Sequence, residues 1–276
     1  MQTDANLKNI IIDKKRVKDI SKIHITLNNL TKRFIAPKQT VTAFENINVE
    51  IKQGEFVALL GPSGCGKSSL LRVIAGLDVQ TQGDIKIEKN IQGEKSEVAM
   101  IFQEHGLFPW MSLRKNIEFI LENNPKFTSE QVTSISDLYL QKVGLVKHAD
   151  MFPHEVSGGM KQRISIARSF ANNPDILLMD EPFVFLDFQT RMLLHELLLT
   201  IWQETEKTIL FVTHDVEEAV LLADRVLVLS AHPGKILNIE QVNISRPRDL
   251  GELRKTPAFF DQVSRLTHEI KAVIKT

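Results

Sequence analysis

The sequence predicts an α/β protein with a largely parallel, helix-covered sheet, an antiparallel β edge and an inserted helical subdomain. Short apolar runs of strand length alternate with amphipathic helical patterns, which is typical of parallel sheets covered by helices. The first two strand-like segments show only the partial alternation expected of edge strands. From about residue 105 to 170 helical patterns predominate, which indicates the inserted subdomain.

The individual elements follow from apolar periodicity and from turn residues between the periodic segments. Strands are predicted at 24–30, 46–51, 55–60, 84–88, 97–102, 176–179, 208–213 and 225–229. Helices are predicted at 67–74, 113–122, 130–143, from 158 onward, at 188–205, at 215–223 and after Pro257. Ser112 and Ser129 are predicted N-caps, 36–42 a polar turn, and Gln82-Gly83 a second turn.

Composition narrows the functional class. The chain has 276 residues, 43% of them hydrophobic, which supplies enough apolar material for a core and excludes whole-chain disorder. With 34 basic and 34 acidic side chains, the net charge of +0 gives no support to nucleic-acid binding through a basic field. One cysteine excludes an intramolecular disulfide and a cysteine-rich zinc site, and suits a reducing compartment.

A glycine-rich loop lies between a predicted buried strand and a predicted helix, and it fits the pattern G-x-x-x-x-G-K-[ST]. It consists of Gly61, Pro62, Ser63, Gly64, Cys65, Gly66, Lys67 and Ser68. Its glycines allow successive N–H groups to point at phosphate oxygens, and the following helix N-terminus adds positive potential. Lys67 would reach the β- and γ-phosphates and Ser68 would bind Mg²⁺. A purely structural glycine turn is the alternative, and Cys65 is interpreted as a small loop residue.

An acidic pair, Asp180 and Glu181, ends the predicted buried strand 176–179. Ligand sites in open α/β sheets lie at the carboxyl ends of the strands. Asp180 could hold Mg²⁺ through a water, and Glu181 could orient and polarise an attacking water. Taken alone, such a pair could equally cap a helix or form a turn.

A third motif distinguishes between kinases, GTPases and other ATPases. Ser157, Gly158 and Gly159 precede a helix and form a second potential anion-binding N-terminus. Gln103 follows one predicted strand and His214 follows another, and Asp187 lies six residues after Glu181. Without these companions, the Ser-Gly-Gly motif would be interpreted as a simple helix cap.

Together and in this order, these features resemble the nucleotide-binding subunit of ATP-binding cassette (ABC) transporters over nearly the whole chain. The resemblance implies a P-loop NTPase core of the ABC ATPase type. It also implies two ATP molecules held between two subunits, each by one P-loop and by the partner's signature, here 157–159. The resemblance further implies that Phe34 stacks on the adenine and that His214 contacts the γ-phosphate. It implies that Gln103 reaches Mg²⁺ and senses the permease. Glu181 is the implied base, Ser69 joins the ATP-binding set, and Asp187 belongs to the dimer-interface loop.

Weaker cues resemble the importer ATPases for nitrate, sulfonate and taurine. They are 102–110, Glu181-Pro182-Phe183, 230–236 and Arg246-Pro247-Arg248. The expected function is therefore MgATP hydrolysis coupled to uptake of a small anion, at the cytoplasmic side of the inner membrane, without a transmembrane segment. The expected partners are a second copy or a homologous ATPase subunit, an integral-membrane permease and, indirectly, an extracytoplasmic solute-binding protein, but no nucleic acid. The alternatives are an ABC ATPase acting on ribosomes or DNA and, with less support, a small-molecule kinase.

The resemblance divides the chain into an extension (1–22), an ABC ATPase domain (23–245, with the helical subdomain at about 105–170) and a C-terminal helical tail (246–276). The extension carries six Lys/Arg and three Asp, and is expected to be solvated, with a weak lipid contact as the alternative. The tail's apolar stripe is expected to pack on the chain's own core rather than on a second subunit. Residues 107–111 could be buried in the helical subdomain or could line a groove for a permease helix, and both interpretations remain open.

The segment 183–187 departs from the family pattern. Within Phe183-Val184-Phe185-Leu186-Asp187, the pair Val184-Phe185 stands where a pair of small residues usually precedes Leu-Asp, and Phe188 is larger than the usual alanine. We expect the surrounding residues to have repacked around these side chains. The alternative is that the bulk slows hydrolysis by impeding closure of the subunit interface.

Overall fold

The computed structural model describes residues 22–36, 39–90 and 92–275. The N-terminal extension, and the lipid contact considered for it, lie outside the described residues apart from its last residue. The described chain forms two compact units, each treated by itself below. One contains residues 101–174 and 182–206, and the other contains the remaining described residues. We refer to them as the helical unit and the sheet unit.

The sheet unit is built on a six-stranded sheet of order β5-β6-β7-β3-β8-β9. Its strands are β3 (Phe56–Leu60), β5 (Val98–Ile101), β6 (Ile176–Asp180), β7 (Thr208–Thr213), β8 (Arg225–Leu229) and β9 (Ile236–Gln241). The pairs β6–β7, β7–β3 and β3–β8 are parallel, and β9 runs antiparallel to β8. Every residue of β3, β6 and β7 is buried, as expected for parallel strands covered on both faces.

A second, antiparallel sheet has the order β2-β1-β4, which agrees with the predicted antiparallel edge. Its strands are β1 (Ile23–Ala36), β2 (Gln39–Lys52) and β4 (Gln82–Ile87). The predicted turn at 36–42 is wrong for residues 39–42, because the pairing of Ile35 with Thr40 and of Arg33 with Thr42 continues the ladder. The predicted turn at Gln82-Gly83 is likewise the first part of β4, since Gln82 pairs with Thr31.

Four helices of the sheet unit are α1 (Lys67–Ile74), α6 (Val216–Leu222), α7 (Leu250–Leu253) and α8 (Pro257–Lys275). Helix α1 packs against β6 and β7, and α8 packs against α6. The predicted apolar stripe of α8 is confirmed as a core face, because Phe259, Leu266 and Val273 are buried. Strand β9 was not predicted.

The helical unit contains α2 (Leu113–Glu122), α3 (Ser129–Lys142), α4 (Gly158–Ala171) and α5 (Phe188–Thr205). The predicted cap at Ser112 is confirmed, since its hydroxyl accepts the Lys115 N–H. The predicted cap at Ser129 is wrong. Thr128 caps α3 instead, and it forms a reciprocal capping box with Gln131, in which each side chain accepts the other residue's backbone N–H.

The helices of this unit pack around buried apolar side chains and one buried phenol. Tyr139 is buried between α3 and α4, and its hydroxyl donates to the Phe170 carbonyl at 3.1 Å. Burial raises the pKa of Tyr139, so the phenol remains a neutral donor. Within the described residues of both units, no helix combines the length and apolar character that crossing a membrane requires.

Candidate nucleotide-binding site

The P-loop joins the buried strand β3 to helix α1, as the motif requires. Gly66 immediately precedes α1 with φ +92°, a left-handed conformation that favours glycine. A Cβ atom at Gly66 would lie 2.5 Å from the Ala43 carbonyl oxygen, so the loop passes too close to β2 for any side chain. The glycine therefore serves both the turn into the helix and the approach to the second sheet.

Lys67 is the first residue of α1, and its side chain is only 4% exposed. Its ammonium donates to the carbonyl oxygens of Gly61, at 2.8 Å, and Pro62, at 2.9 Å. It also lies 4.0 Å from Oε1 of Glu181. The lysine charge is thus held inside the curve of the loop, at the position where the motif predicts phosphate binding.

The other P-loop residues line the turn. Ser63 and Gly64 are exposed, while Pro62 and Ser69 are half-buried. Cys65 is buried, and burial raises the pKa of its thiol. A thiol with a raised pKa is a weak nucleophile, which is consistent with the interpretation of Cys65 as a small packing residue.

Ser68 and Asp180 lie next to each other at the predicted metal position. The Ser68 hydroxyl donates to Oδ1 of Asp180 at 2.7 Å. Burial raises the pKa of the Asp180 carboxyl, and repulsion from Glu181 acts in the same direction, against the hydrogen bond from Ser68. A bound cation near this carboxylate would offset the cost of its burial.

These donors fit Mg²⁺. Among residues 22–36, 39–90 and 92–275, no three His, Cys, Asp or Glu side chains form a group able to enclose a metal ion. Mg²⁺ usually keeps several waters and is bound by one or two protein oxygens together with substrate phosphates. A hydroxyl and a carboxylate beside the P-loop match that requirement, so Ser68 and Asp180 would be the residues that hold it.

Glu181 follows β6 directly and has φ +44°, which is uncommon for a residue with a side chain. Its N–H donates to the Val212 carbonyl of β7 at 3.1 Å, which helps to hold this conformation. Non-glycine residues in such conformations are concentrated at functional sites, where the surrounding structure compensates the strain. The carboxylate itself is 17% exposed, so it is accessible from solvent at the carboxyl end of the sheet.

His214 follows β7, the neighbour of β6, and its Nδ1 lies 3.3 Å from Oε2 of Glu181. Its backbone is fixed on both sides. The Thr213 hydroxyl donates to Glu218 at 2.6 Å, and Asp215 caps α6 by accepting the N–H groups of Glu217 and Glu218. The imidazole is 50% exposed, so its outer edge is open to a ligand.

Phe34 lies on β1 and its pairing partner is Val41 on β2. The ring is 45% exposed, and the Lys32 ammonium lies 4.9 Å from its centroid. The exposed part of the ring leaves room for a stacking partner, which is compatible with the adenine contact that the sequence implies.

The signature residues belong to the helical unit. The Ser157 hydroxyl accepts the Met160 N–H and caps α4, while Ser157 and Gly158 are exposed. Gly159 is buried against α5, because a Cβ there would lie 2.4 Å from Cγ2 of Thr190. The glycine thus allows α4 and α5 to approach closely, at a helix end whose first N–H groups have no intrahelical acceptor.

Asp187 and Gln103 also lie in the helical unit and are exposed. Asp187 caps α5 by accepting the Thr190 N–H at 3.0 Å. Hydrogen bonds from the Thr190 side chain and, to a lesser extent, from its backbone N–H lower the pKa of the Asp187 carboxyl. Gln103 follows β5 by two residues. The stretch 107–111 is partly buried: Phe108 packs edge-on against Phe119, whereas Trp110 is 69% exposed.

The bulky residues before and after Asp187 differ in their surroundings. Phe183 is buried and packs edge-on against His195, with ring centroids 5.0 Å apart. Phe185 and Phe188 are 72% and 69% exposed. Val184 is half-buried. The expected repacking around Val184 and Phe185 concerns the subunit interface and stays a prediction.

Sequence reasoning missed several residues that support the site. Asp215 is not among the predicted residues, although an Asp directly before a helix with two Glu in its first turn is a typical N-terminal cap. Arg246 and Arg248, noted only as a family cue, donate to the carbonyls that end α6: those of Val220, Leu221, Leu222 and Ala223. Burial, together with the charge of Arg246, lowers the pKa of Arg248 to about 9.

The fold and these residues define a P-loop nucleotide-binding protein, in which the phosphate loop and the acidic strand end meet at the carboxyl edge of a parallel sheet. Comparison with known families makes the class specific. Residues 44–184 match the ABC transporter family. The chain belongs to this family.

Curated relatives cover most of the chain. It is 45% identical over 238 residues to an uncharacterised ABC transporter ATP-binding protein of Methanocaldococcus jannaschii, covering 86% of this chain and 89% of the relative. It is 43% identical over 265 residues to the nitrate import ATP-binding protein of Synechocystis sp., covering 91% of this chain and 99% of the relative. It is 40% identical over 240 residues to the aliphatic sulfonates import ATP-binding protein of Bacillus anthracis, covering 87% of this chain and 92% of the relative.

Solved structures of the same family also match. One is a dimeric ATP-binding cassette in a post-hydrolysis state with bound ADP and Pi, and it is 30% identical to this chain, with a TM-score of 0.69. The match covers 80% of this chain and 100% of the cassette. The predicted fold class and the predicted family are thereby confirmed.

Proposed function

We propose that this chain hydrolyses MgATP in a dimer of ATPase subunits and couples the reaction to uptake of a small anion through a separate permease. Membership of the family makes the chain an ATPase. The roles of individual residues, the permease and the class of solute are the proposal.

The observation that carries the proposal is the meeting of five side chains at the carboxyl ends of β3, β6 and β7. They are Lys67, Ser68, Asp180, Glu181 and His214. They supply a cation for the phosphates, two oxygen donors for a metal, a carboxylate beside the lysine and a histidine in contact with that carboxylate. A purely structural cap or turn would not require this combination.

The P-loop backbone and Lys67 would bind the β- and γ-phosphates, whose oxygens would replace the loop carbonyls as acceptors for the lysine. Glu181 would accept a proton from a water as that water attacks the γ-phosphorus, and the bond to the β-phosphate oxygen would break. His214, at 3.3 Å from Glu181, would orient that carboxylate and contact the γ-phosphate. Mg²⁺ on Ser68 and Asp180 would neutralise charge on the phosphate oxygens.

The signature 157–159 would complete the site of a second subunit. The N-terminus of α4, where Ser157 and Gly158 are exposed, provides a concentrated positive potential, which suits a γ-phosphate. The partner would be a second copy or a homologous ATPase subunit. The solved relatives described as dimeric cassettes support this arrangement.

The importer class and its solute rest on the relatives. Their names describe import of nitrate and of aliphatic sulfonates, and the sequence cues point to the same group together with taurine. We therefore propose nitrate, a sulfonate, taurine or a similar small anion as the solute. An integral-membrane permease would bind the chain at the cytoplasmic face of the inner membrane, and an extracytoplasmic binding protein would deliver the solute.

The test is affinity isolation of the tagged chain from detergent-solubilised membranes, followed by reconstitution of any co-purifying membrane protein in liposomes. We expect a permease to co-purify and ATP-dependent uptake of nitrate, taurine or an alkanesulfonate to follow. Glu181→Gln provides the matched inactive complex. Co-purification of ribosomes or DNA without a permease would contradict the importer class, and ATP-independent uptake would contradict coupling.

A further inference from the structure

Lys32 is an almost buried lysine on β1, two residues before Phe34, and its side chain is 11% exposed. An ammonium that is removed from water requires compensating partners. Lys32 has three. Its Nζ donates to Oδ1 of Asp78 at 2.6 Å and to the Val79 carbonyl at 2.8 Å, and it lies 4.9 Å from the centroid of the Phe34 ring.

The contact with the ring is a cation–π interaction, since the separation is well within the range of about 6 Å over which such pairs attract. A cation over an aromatic face restricts the rotation of the ring. The ring is 45% exposed, so part of it stays open while Lys32 covers one face.

Asp78 and Val79 connect this contact to the P-loop helix. Both follow α1 closely, and the Leu77 N–H donates to the Arg72 carbonyl at 2.9 Å in the last turn of that helix. Asp78 also accepts the Val79 N–H at 2.7 Å, which fixes the segment locally. The hydrogen bond from Lys32 lowers the pKa of Asp78, which favours the charged form of this carboxyl.

We infer that Lys32 is a positioning residue for the nucleobase: it holds Phe34 at a fixed place relative to the P-loop helix, with the open part of the ring available to the purine. The inference rests on the proposed function, because it assumes that Phe34 stacks on the base and that the P-loop binds the phosphates. The lysine would act through Phe34 and would not touch the nucleotide phosphates. Pre-ordering the ring would lower the entropy lost on binding.

The test compares two ligands by isothermal titration calorimetry at constant Mg²⁺: ATP, which has a base, and inorganic tripolyphosphate, which has none. Lys32→Met keeps the length of the side chain and removes the charge. We expect it to weaken ATP binding about 3- to 10-fold, with tripolyphosphate affinity unchanged. Lys32→Arg retains a cation and should restore ATP affinity to within about twofold of the original chain.

Two further variants separate positioning from general stability. In a Phe34→Ala background, Lys32→Met should cause no additional loss of ATP affinity, because the residue through which Lys32 acts is gone. The matched control is Lys86→Met, which replaces an exposed lysine on β4 of the same sheet. It should change the affinity for neither ligand. If Lys32→Met fails to fold, Asp78→Asn tests the same arrangement. This variant should weaken the binding of ATP but not that of tripolyphosphate.

Several outcomes would overturn the inference. One is that Lys32→Met loses affinity for ATP and for tripolyphosphate equally. The others are that its affinity for ATP is unchanged, or that Lys32→Met causes the full loss of ATP affinity again in the Phe34→Ala background. Failure of the proposed function gives a different result: Lys67→Ala would then leave the affinity for both ligands unchanged. A loss confined to ATP that Lys32→Arg restores would support the inference.

Discussion

The sheet unit and the helical unit present their predicted functional residues in different ways. In the sheet unit, Lys67, Asp180 and Glu181 contact one another or their neighbours before any ligand is added, through bonds inside the same unit. In the helical unit, Ser157 and Asp187 are exposed, and each caps only its own helix. Under the proposed function, the first unit would hold a preformed nucleotide site, and the second would offer exposed signature residues to a partner subunit.

The burial of charge shows the same contrast. The Asp180 carboxylate is buried in an arrangement that raises its pKa, so the sheet unit carries a cost that a bound cation would offset. Asp187 instead has a lowered pKa, because hydrogen bonds from the Thr190 side chain and backbone N–H stabilise its charge at the surface. A strained, partly buried centre suits catalysis, whereas a relaxed and exposed one suits recognition of a partner.

The largest expected effect tests the sheet unit. Glu181→Gln should lower the rate of phosphate release by about 10²–10⁴-fold, because a positioned base contributes about that much. ATP binding should be retained, since Lys67 and the loop backbone are intact. Steady-state ATPase assays and ATP titrations measure the two quantities.

Glu252→Gln is the matched control for the loss of one carboxylate. Glu252 is an exposed glutamate on α7, and its carboxylate pairs with the equally exposed Lys255. The control variant should change neither rate nor affinity. An unchanged rate in Glu181→Gln would remove this residue from the role of base.

The second prediction tests the helical unit. Ser157→Arg should lower the hydrolysis rate by about 10²-fold, as expected when a group that contacts the reacting phosphate is displaced by about 1 Å. Nucleotide binding to the monomer should persist, because the P-loop lies in the other unit. In the original chain, activity should rise more steeply than linearly with protein concentration.

The control is Thr128→Arg, which places the same side chain at another exposed N-cap of the helical unit. Both variants lose a cap worth about 1 kcal/mol, so a difference between their rates isolates the role of the signature. Full activity in a verified monomer would contradict the proposed dimer site.

The third prediction concerns the C-terminal end of α6. Arg248→Met should lower the free energy of unfolding by about 2–4 kcal/mol, because it leaves the carbonyls at the end of α6 without their buried donor. Urea denaturation measures the loss, and Arg265→Met, at an exposed position on α8, is the control. A loss no larger than that of the control would mean that water replaces the arginine at these carbonyls.

The sequence predicted the elements whose ends carry strong local signals. The bounds of α1 and α5 agree with the prediction, since a glycine loop precedes the first and the Asp187 cap precedes the second. Strand β9 was missed because its alternation is weak, and its pairing with β8 depends on residues outside its own segment. The cap of α3 was misplaced by one residue, because Thr128 and Ser129 are both good caps and only Thr128 has Gln131 at the reciprocal position.

The site was predictable in its residue types but not in its geometry. Motif spacing identified the candidates for phosphate, metal and base. The φ angle of Glu181 and its contact with His214 depend on the pairing of β6 with β7, which no local pattern encodes. The hydrogen bond from Lys32 to Asp78 joins residues 46 positions apart, so no local sequence pattern predicts it.

The smallest expected effect concerns the exposed aromatic rings beside Asp187. Phe183 and Phe185 lie two residues apart, but only Phe183 is buried. Phe185→Ala should therefore change the free energy of unfolding by less than about 0.5 kcal/mol, as is usual for surface substitutions. In the proposed dimer the Phe185 ring would lose contact with water, and burying such a ring contributes about 1.5–3 kcal/mol.

That contribution predicts weaker association without a change in catalysis. For Phe185→Ala, the protein concentration that gives half-maximal activity should rise by about tenfold or more, since each 1.4 kcal/mol corresponds to a factor of ten. The rate at saturating concentration should be unchanged. Phe260→Ala, which removes a ring that is 59% exposed on α8, should shift neither quantity. A variant that is faster than the original chain at every concentration would instead show that the ring obstructs closure, and the departure at 183–188 would then act as a brake on hydrolysis.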